Sequence, residues 1–248
     1  MTDSQVARGK RPTLEWLLDL IGRFRRALHY ARLLSILGWP VRSRAGLVNL
    51  VARQRSRLSS PGPDPGRKGA KREPDCAKGC SHCCYQGTVQ VTAPEVMALS
   101  EFIRRTWDPI GLAALRARIR ARRESIEGLS GPAICNRRDP CVLLENGLCS
   151  VYPVRPLLCA GFLSFDVEAC RKILETKSTL TIDRIPTHGR NWTTAVRTQD
   201  AAMWALRLRE LPADRYELTA ALEIFLASAD DGTWPTGSEL APARFRPL

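Results

Sequence analysis

Cys76, Cys80, Cys83 and Cys84 fall within nine residues of DCAKGCSHCCY, and Cys135, Cys141, Cys149, Cys159 and Cys170 follow in a second, looser run. A structural cysteine behaves as a small hydrophobe and has no reason to recur at turn spacing. Spacing of the CxxC type, by contrast, lets two sulfurs reach one metal ion from a tight turn. The expected metal ligands are Cys76, Cys80, Cys83, Cys84, Cys141, Cys149, Cys159 and Cys170. A donor set of sulfur suits zinc or an iron–sulfur cluster and argues against magnesium or calcium. Zinc ribbons use two tight CxxC knuckles, whereas here the second half is spread out, which tilts the reading toward iron–sulfur. Arg155 stands near Cys159 in sequence and is the expected cofactor-side cation, favouring thiolate there together with a helix N-terminus opened by Pro156.

Other chemistries are weaker. Cys76-x3-Cys80-x2-Cys83 also fits the CxxxCxxC loop of radical S-adenosylmethionine enzymes. A linker rather than a strand precedes it, however, no alternating strand and helix series follows, and five further cysteines are left over. Cys83-Cys84 as a redox pair lacks a thioredoxin-like βαβ setting. His82 reads as a spacer between sulfurs, and His29 and His188 have no partners in sequence. A metal-free thiol near Arg155 could act as a nucleophile, but no residue points to it.

The two runs together, CxxxCxxCC followed by CVLLENGLCSVYPVRPLLCAGF, resemble the YkgJ-like CxxCxxCC family of zinc- or iron-chelating cysteine-cluster proteins of bacteria. The likeness spans Cys76 to Cys170. It rests on the adjacent pair Cys83-Cys84, the arrangement from Cys141 to Cys159, and Arg155-Pro156. One departure is the three residues between Cys76 and Cys80, where the family has two. Cys135 has no counterpart in the motif. The resemblance implies a cysteine-bound metal centre. Flagellin lysine N-methylases look like one branch of the family, so a modification or redox reaction is an expectation by analogy. No glycine-rich loop after a strand is present to hold S-adenosylmethionine.

The elements that must position these residues are mostly helices. Residues 1–75 hold 16 Lys and Arg against 6 Asp and Glu, while the rest holds 22 against 19. Residues 1–58 read as a basic helical arm, with one helix from Thr13 through Leu28 and a shorter one around Leu47 to Val51. Such an arm could meet nucleic acid, an anionic membrane surface or an acidic partner, although a solvated helix face is the commoner meaning. A protein substrate or partner is the further expectation beside the metal. Residues 59–75, rich in Pro, Gly and charge, read as a flexible linker. Residues 76–178 form the expected metal-binding domain, 179–229 C-terminal helices packed on it with Met203, Leu206, Leu218, Leu222 and Phe225 as expected core, and 230–248 an irregular tail. On this division a chain starting at Glu73 should bind metal without the arm.

Within the cysteine domain, Thr88 to Val91 reads as a short strand. Thr92 and Glu95 form a capping box over a helix carrying Val96, Leu99 and Ile103. Asp108-Pro109 opens a second helix with Leu112, Leu115, Ile119 and Ile126 inward and a crowd of arginines on a solvated face. Ser164 is placed as the cap of the helix that carries Cys170. Asn146-Gly147 signals a hairpin, and a three-residue loop, Glu145-Asn146-Gly147, is predicted because it alone leaves Cys141 and Cys149 on one face of paired strands. The fold class is mainly α, with a small cysteine-rich α+β centre containing one short hairpin and clasped by metal, plus the basic arm. No run reaches the length of a membrane-spanning helix. No signal peptide is evident, and the odd cysteine count fits a reducing cytoplasm better than a disulfide framework.

Overall fold

In the computed structural model the described residues are 44–60, 73–129, 131–176, 185–228 and 235–244, together with Ile21 and Leu28. The chain divides into two compact units, Met1–Pro40 and Val41–Leu248. In the first, Ile21 and Leu28 are helical and exposed. The rest of the helix expected from Thr13, and most of the expected linker, lie outside the described residues.

The second unit is mostly helical. Its first helix, α1 (Arg44–Ser59), carries an apolar stripe of Leu47, Leu50, Val51 and Leu58, all buried. That stripe packs on the short helix α5 (Leu157–Gly161) and on α7 (Gly189–Arg207), where Val51, Leu58, Leu157, Ala160 and Ala195 form one apolar cluster. Arg44–Ser59 is therefore part of the core rather than of a detached arm. Asn191 of α7 donates through Nδ2 to the Leu58 carbonyl at 2.9 Å, closing the C-terminal end of α1. Gly161 makes the α5–α7 approach possible. A Cβ there would lie 2.6 Å from that of Ala195.

Helix α2 (Ala93–Thr106) starts as the sequence predicts, with the Thr92 amide donating to Glu95 Oε2 at 2.8 Å. Asp108 caps α3 (Pro109–Ile126) by accepting from the Gly111 amide at 2.6 Å. The arginines of α3 are not a solvated face. Arg116 donates to the Leu226 carbonyl at 2.9 Å, Arg118 to the Val142 carbonyl at 3.1 Å and to Glu145 at 2.7 Å. Arg122 reaches Asp139 and the Gly87 carbonyl, and Arg123 pairs with Glu223. Arg120 is exposed. Guanidinium groups carry enough donors to serve two acceptors each, so this helix bolts the hairpin and α8 (Leu218–Ala227) to the frame.

Strand β1 (Gln90–Val91) pairs antiparallel with β4 (Tyr216–Glu217), in the register Gln90 to Glu217 and Val91 to Tyr216. The hairpin β2 (Leu144–Glu145) and β3 (Leu148–Cys149) pairs Leu144 with Cys149 and Glu145 with Leu148. Its loop is thus two residues, Asn146-Gly147, both with positive φ, at 51° and 76°. This is the type I′ geometry that matches strand twist, and the predicted three-residue loop is wrong. The helices α4 (Gly131–Arg137) and α6 (Val167–Glu175) flank the hairpin region in sequence. Asp166, not Ser164, caps α6, accepting from the Ala169 amide at 2.8 Å. Ser164 instead accepts from the Asp166 amide at 2.9 Å.

All five core positions expected in the C-terminal helices, Met203, Leu206, Leu218, Leu222 and Phe225, are buried. Part of the expected irregular tail is ordered as α9 (Gly237–Leu240), opened by a Thr236–Glu239 capping box, with Leu240 fully buried. No helix among the described residues is long and apolar enough to cross a membrane.

Candidate metal centre

The first cysteine run lies on a segment with little regular structure. Gly79 turns it at φ 98°, the Cys80 amide donates to the Ala77 carbonyl at 3.0 Å, and a single 3-10 turn, His82–Tyr85, carries Cys83 and Cys84. Three bonds join this segment to the α6 side: the Asp75 amide to the Ser164 carbonyl at 2.8 Å, the Ser164 amide to Cys76 Sγ at 3.1 Å, and the Val167 amide to Asp75 Oδ2 at 3.4 Å. Another joins it to the second run, from the Cys141 amide to the Cys84 carbonyl at 2.8 Å.

The second run comes from three different elements. Cys149 is on β3, Cys159 on α5 and Cys170 on α6. Cys141 precedes β2 in a turn closed by the Leu144 amide on the Cys141 carbonyl at 2.9 Å. That turn matters, because strand alternation would otherwise place Cys141 and Cys149 on opposite faces for a two-residue loop. The strand ends at Leu144, so alternation never reaches Cys141. The Cys149 thiol stands close enough to oppose the ionisation of Cys141. Cys135 lies on α4.

Eight free thiols, those of Cys76, Cys80, Cys83, Cys84, Cys141, Cys149, Cys159 and Cys170, are thus drawn into one region from separate stretches. Cys83 packs against the apolar cluster formed by Phe162, Cys170, Ile173 and Ile185. Most of these thiols are held protonated. Burial, helped by neighbouring thiols, pushes Cys76 up to about 11 and Cys141 up to about 12, and raises Cys149, Cys159 and Cys170. The expectation that Arg155 and the start of α5 favour thiolate at Cys159 is therefore overturned: the desolvation of a thiol packed among other thiols outweighs the arginine's pull. Cys83 is the exception. The Cys84 thiol donates to it and, against burial and with help from Arg155, holds it down to about 7, while Cys84 is pushed up in turn.

Arg155 acts on this region as foreseen in place if not in effect. Its Cζ sits 4.1 Å from the Tyr152 ring centroid, and its charge reaches Cys83, Cys149 and Cys159. Its carbonyl accepts from Arg55 Nε at 2.7 Å. Arg55, Glu95 and Arg122 are buried, and it is their burial that the sequence reading missed. Glu95, fully buried, accepts from Thr92, from the Leu157 amide at 2.8 Å and from Gln199 at 3.0 Å, tying the start of α5 to α2 and α7. Burial raises the Glu95 pKa against these bonds and lowers that of Arg55. The signal for Arg55 was present. Gln54 and Arg55 interrupt the stripe of Leu47, Leu50, Val51 and Leu58, and a polar pair inside an apolar stripe must find partners within the protein.

The donor set fits a metal in kind and number, since soft, uncrosslinked sulfur is what zinc and iron–sulfur clusters take. Among the described residues no three His, Cys, Asp or Glu side chains stand at the spacing of ligands around one ion. Closing on an ion would need rotation about χ1, the one side-chain torsion that moves a cysteine's sulfur. His82 lies in the motif's turn, and His188 caps α7 by accepting from the Asn191 amide at 3.3 Å while stacking on Phe165.

No curated protein and no solved structure matches the chain. Residues 75–179, which contain all nine cysteines, match the CxxCxxCC family model, described as a "putative zinc- or iron-chelating domain".

Proposed function

We propose that Cys76, Cys80, Cys83, Cys84, Cys141, Cys149, Cys159 and Cys170 hold an iron–sulfur cluster or zinc, and that the protein is a cytoplasmic metalloprotein serving a redox or modification reaction. The observation that carries this is the gathering of eight free thiols from four elements and a loop. Ordinary folding gives no reason to collect so many thiols whose burial is costly to their ionised forms, whereas a cation in their midst would reverse that cost. The metal would supply Lewis acidity or electron transfer. The chain's own part is to exclude water with Phe162, Ile173 and Ile185, and to balance thiolate charge with Arg155. Free thiols at this density belong in a reducing compartment.

The second reading is a structural zinc module presenting a basic surface to nucleic acid or a partner. Its basic surface is the N-terminal arm, of which the residues before Arg44 lie outside the described residues apart from Ile21 and Leu28, and the α3 arginines do not extend it, since four of the five are engaged within the fold. Purification without oxygen, followed by metal analysis and acid-labile sulfide, tests both readings. Iron with sulfide supports the cluster, zinc without sulfide the module, and a metal-free protein with full native structure would defeat both.

A further inference from the structure

The buried side of α1 includes two polar residues, Gln54 and Arg55, each 4 % exposed. Arg55 donates through Nε to the Arg155 carbonyl at 2.7 Å, which lays its guanidinium against the segment that opens α5. The two side chains are close enough for the charge of Arg155 to disfavour that of Arg55. Neither has a counter-ion in contact. Among the described residues no carboxylate pairs with Arg55 or Arg155, and Arg55 Nη2 and Arg155 Nε, both buried, have no hydrogen-bond partner. Gln54 Nε2, one residue along the chain, is in the same condition. Glu95 attracts Arg55 from a distance, but its oxygens are taken: Oε1 accepts from the Leu157 amide, and Oε2 from Thr92 and Gln199. Folded proteins leave few buried donors unbonded, and a buried cation without an anion is costlier still. A water would satisfy a donor and leave the charge. A carboxylate or phosphate would answer both, because its oxygens accept charge-assisted bonds from guanidinium groups, often in pairs.

We propose that Arg55 and Arg155 form a binding site for an oxyanion, the carboxylate or phosphate group of a small molecule, with Arg55 Nη2 and Arg155 Nε as donors to it. Arg155 is half-buried where Arg55 is enclosed, so the anion enters from the Arg155 side. The place gives the site a use. The charge of Arg155 also reaches Cys83, Cys149 and Cys159, so an anion held here stands beside the thiols. A molecule anchored by its carboxylate or phosphate presents its remainder to the cysteine centre. That use rests on the metal-binding reading above, and the anion site itself does not.

The test is thermal unfolding of the reduced, metal-free full chain in an oxygen-free zwitterionic buffer, titrated with sodium phosphate or sodium acetate against sodium chloride at matched ionic strength. Phosphate or acetate should raise the melting temperature beyond chloride and saturate, as a ligand of the folded state does. Whichever acts at the lower concentration identifies the group. Arg55→Met should abolish the increment while keeping or raising stability in the buffer alone, because an apolar side chain replaces a buried cation that has no counter-ion. Arg155→Gln should weaken the apparent affinity by about tenfold, the loss expected for a bond to a charged group. Arg120→Gln, exposed on α3, should leave the increment unchanged. Equal increments in phosphate, acetate and chloride would overturn the site, as would an increment that survives undiminished in Arg155→Gln or in a folded Arg55→Met. If Arg55→Met fails to fold, the half-buried Arg155→Gln decides alone. Metal analysis of the chain before stripping is read separately. A chain that takes the anion and holds no metal keeps the site and loses its use, whereas a metal-bearing chain without the anion response loses the site and keeps the centre.

Discussion

Helix α3 and the cysteine region each crowd one kind of polar side chain into a short stretch, and they resolve the crowding in opposite ways. Along α3 the guanidinium groups reach outward to carbonyls and carboxylates of other elements, so that Arg116, Arg118, Arg122 and Arg123 each close a bond to a distant part of the chain. Among the cysteines, Cys83 and Cys84 hydrogen-bond each other, while Cys76, Cys141, Cys149 and Cys170 take bonds from backbone amides or from Ser164 and burial still raises their pKa values. One region is complete as it stands. The other is complete in backbone and not in chemistry, which is the arrangement expected where an ion supplies the missing interaction.

The largest effect that would test this contrast comes from the frame. A chain beginning at Glu73 would lose Leu47, Leu50, Val51 and Leu58 from the core. At about 2 kcal/mol for each buried side chain, that loss is comparable to the whole stability of a typical domain, on the order of 5–15 kcal/mol. Such a chain should be unfolded by circular dichroism, and a chain beginning at Val41 should keep its fold. Cooperative melting of the shorter chain would show that α1 is dispensable and restore the idea of a separable arm.

Next in size is the response to pH. Thiols raised toward 11 and 12, as at Cys76 and Cys141, must release protons to bind an ion, so metal affinity should climb with pH by about tenfold per unit for each proton displaced, and fall in acid. Metal-free protein should behave in the reverse sense. A thiol whose folded value lies above its unfolded value near 8.5 stabilises the fold below that pH, and the contribution is lost as pH rises toward 11 and 12. Chemical denaturation of the metal-free chain between pH 8 and 11 measures this. A flat profile would mean that the thiols are not buried together. Cys83, held down to about 7, opposes the trend and should be the first thiol alkylated at neutral pH in the metal-free protein.

Smaller effects separate the arginines. Arg122→Met removes bonds to Asp139 and to the Gly87 carbonyl, and should cost about 2 kcal/mol in denaturation, since hydrogen bonds to charged groups contribute about 1.5–3 kcal/mol. Arg120→Ala should stay within about 0.5 kcal/mol of the unaltered protein, as is usual for an exposed side chain. Equal losses from the two would return the α3 arginines to the status of a solvated face.

What the sequence made legible was local. Thr92 with Glu95, Asp108 with Pro109, Asn146 with Gly147, and the stripe of Leu218, Leu222 and Phe225 each announce themselves within a few residues. The hairpin loop was misjudged by one residue because the reading carried the strand back to Cys141, where a turn intervenes. The α3 arginines look solvated in sequence because their acceptors, such as the Leu226 and Val142 carbonyls, come from elements whose placement only the tertiary fold decides. Glu95 was visible as a cap and hidden as a junction for the same reason, its further donors being Leu157 and Gln199. The two cysteine runs are plain in the sequence, whereas the Ser164 bonds and the 3-10 turn that set the surroundings of Cys76 and of Cys83-Cys84 carry no signature of their own.

The bond from the Leu157 amide to Glu95 Oε1 has a kinetic consequence. It fastens the start of α5 to the first turn of α2, so Cys159 is anchored by helices that need no ion, whereas Cys76 and Cys80 ride a loop held by a few bonds. An ion reaching this protein would meet one anchored shore and one loose one. Capture at Cys159 would then shorten the search for the rest, because the entropy of closing the remaining chain grows only slowly with its length once one end is fixed. The anchored half should load first, with the loop following as the slower step.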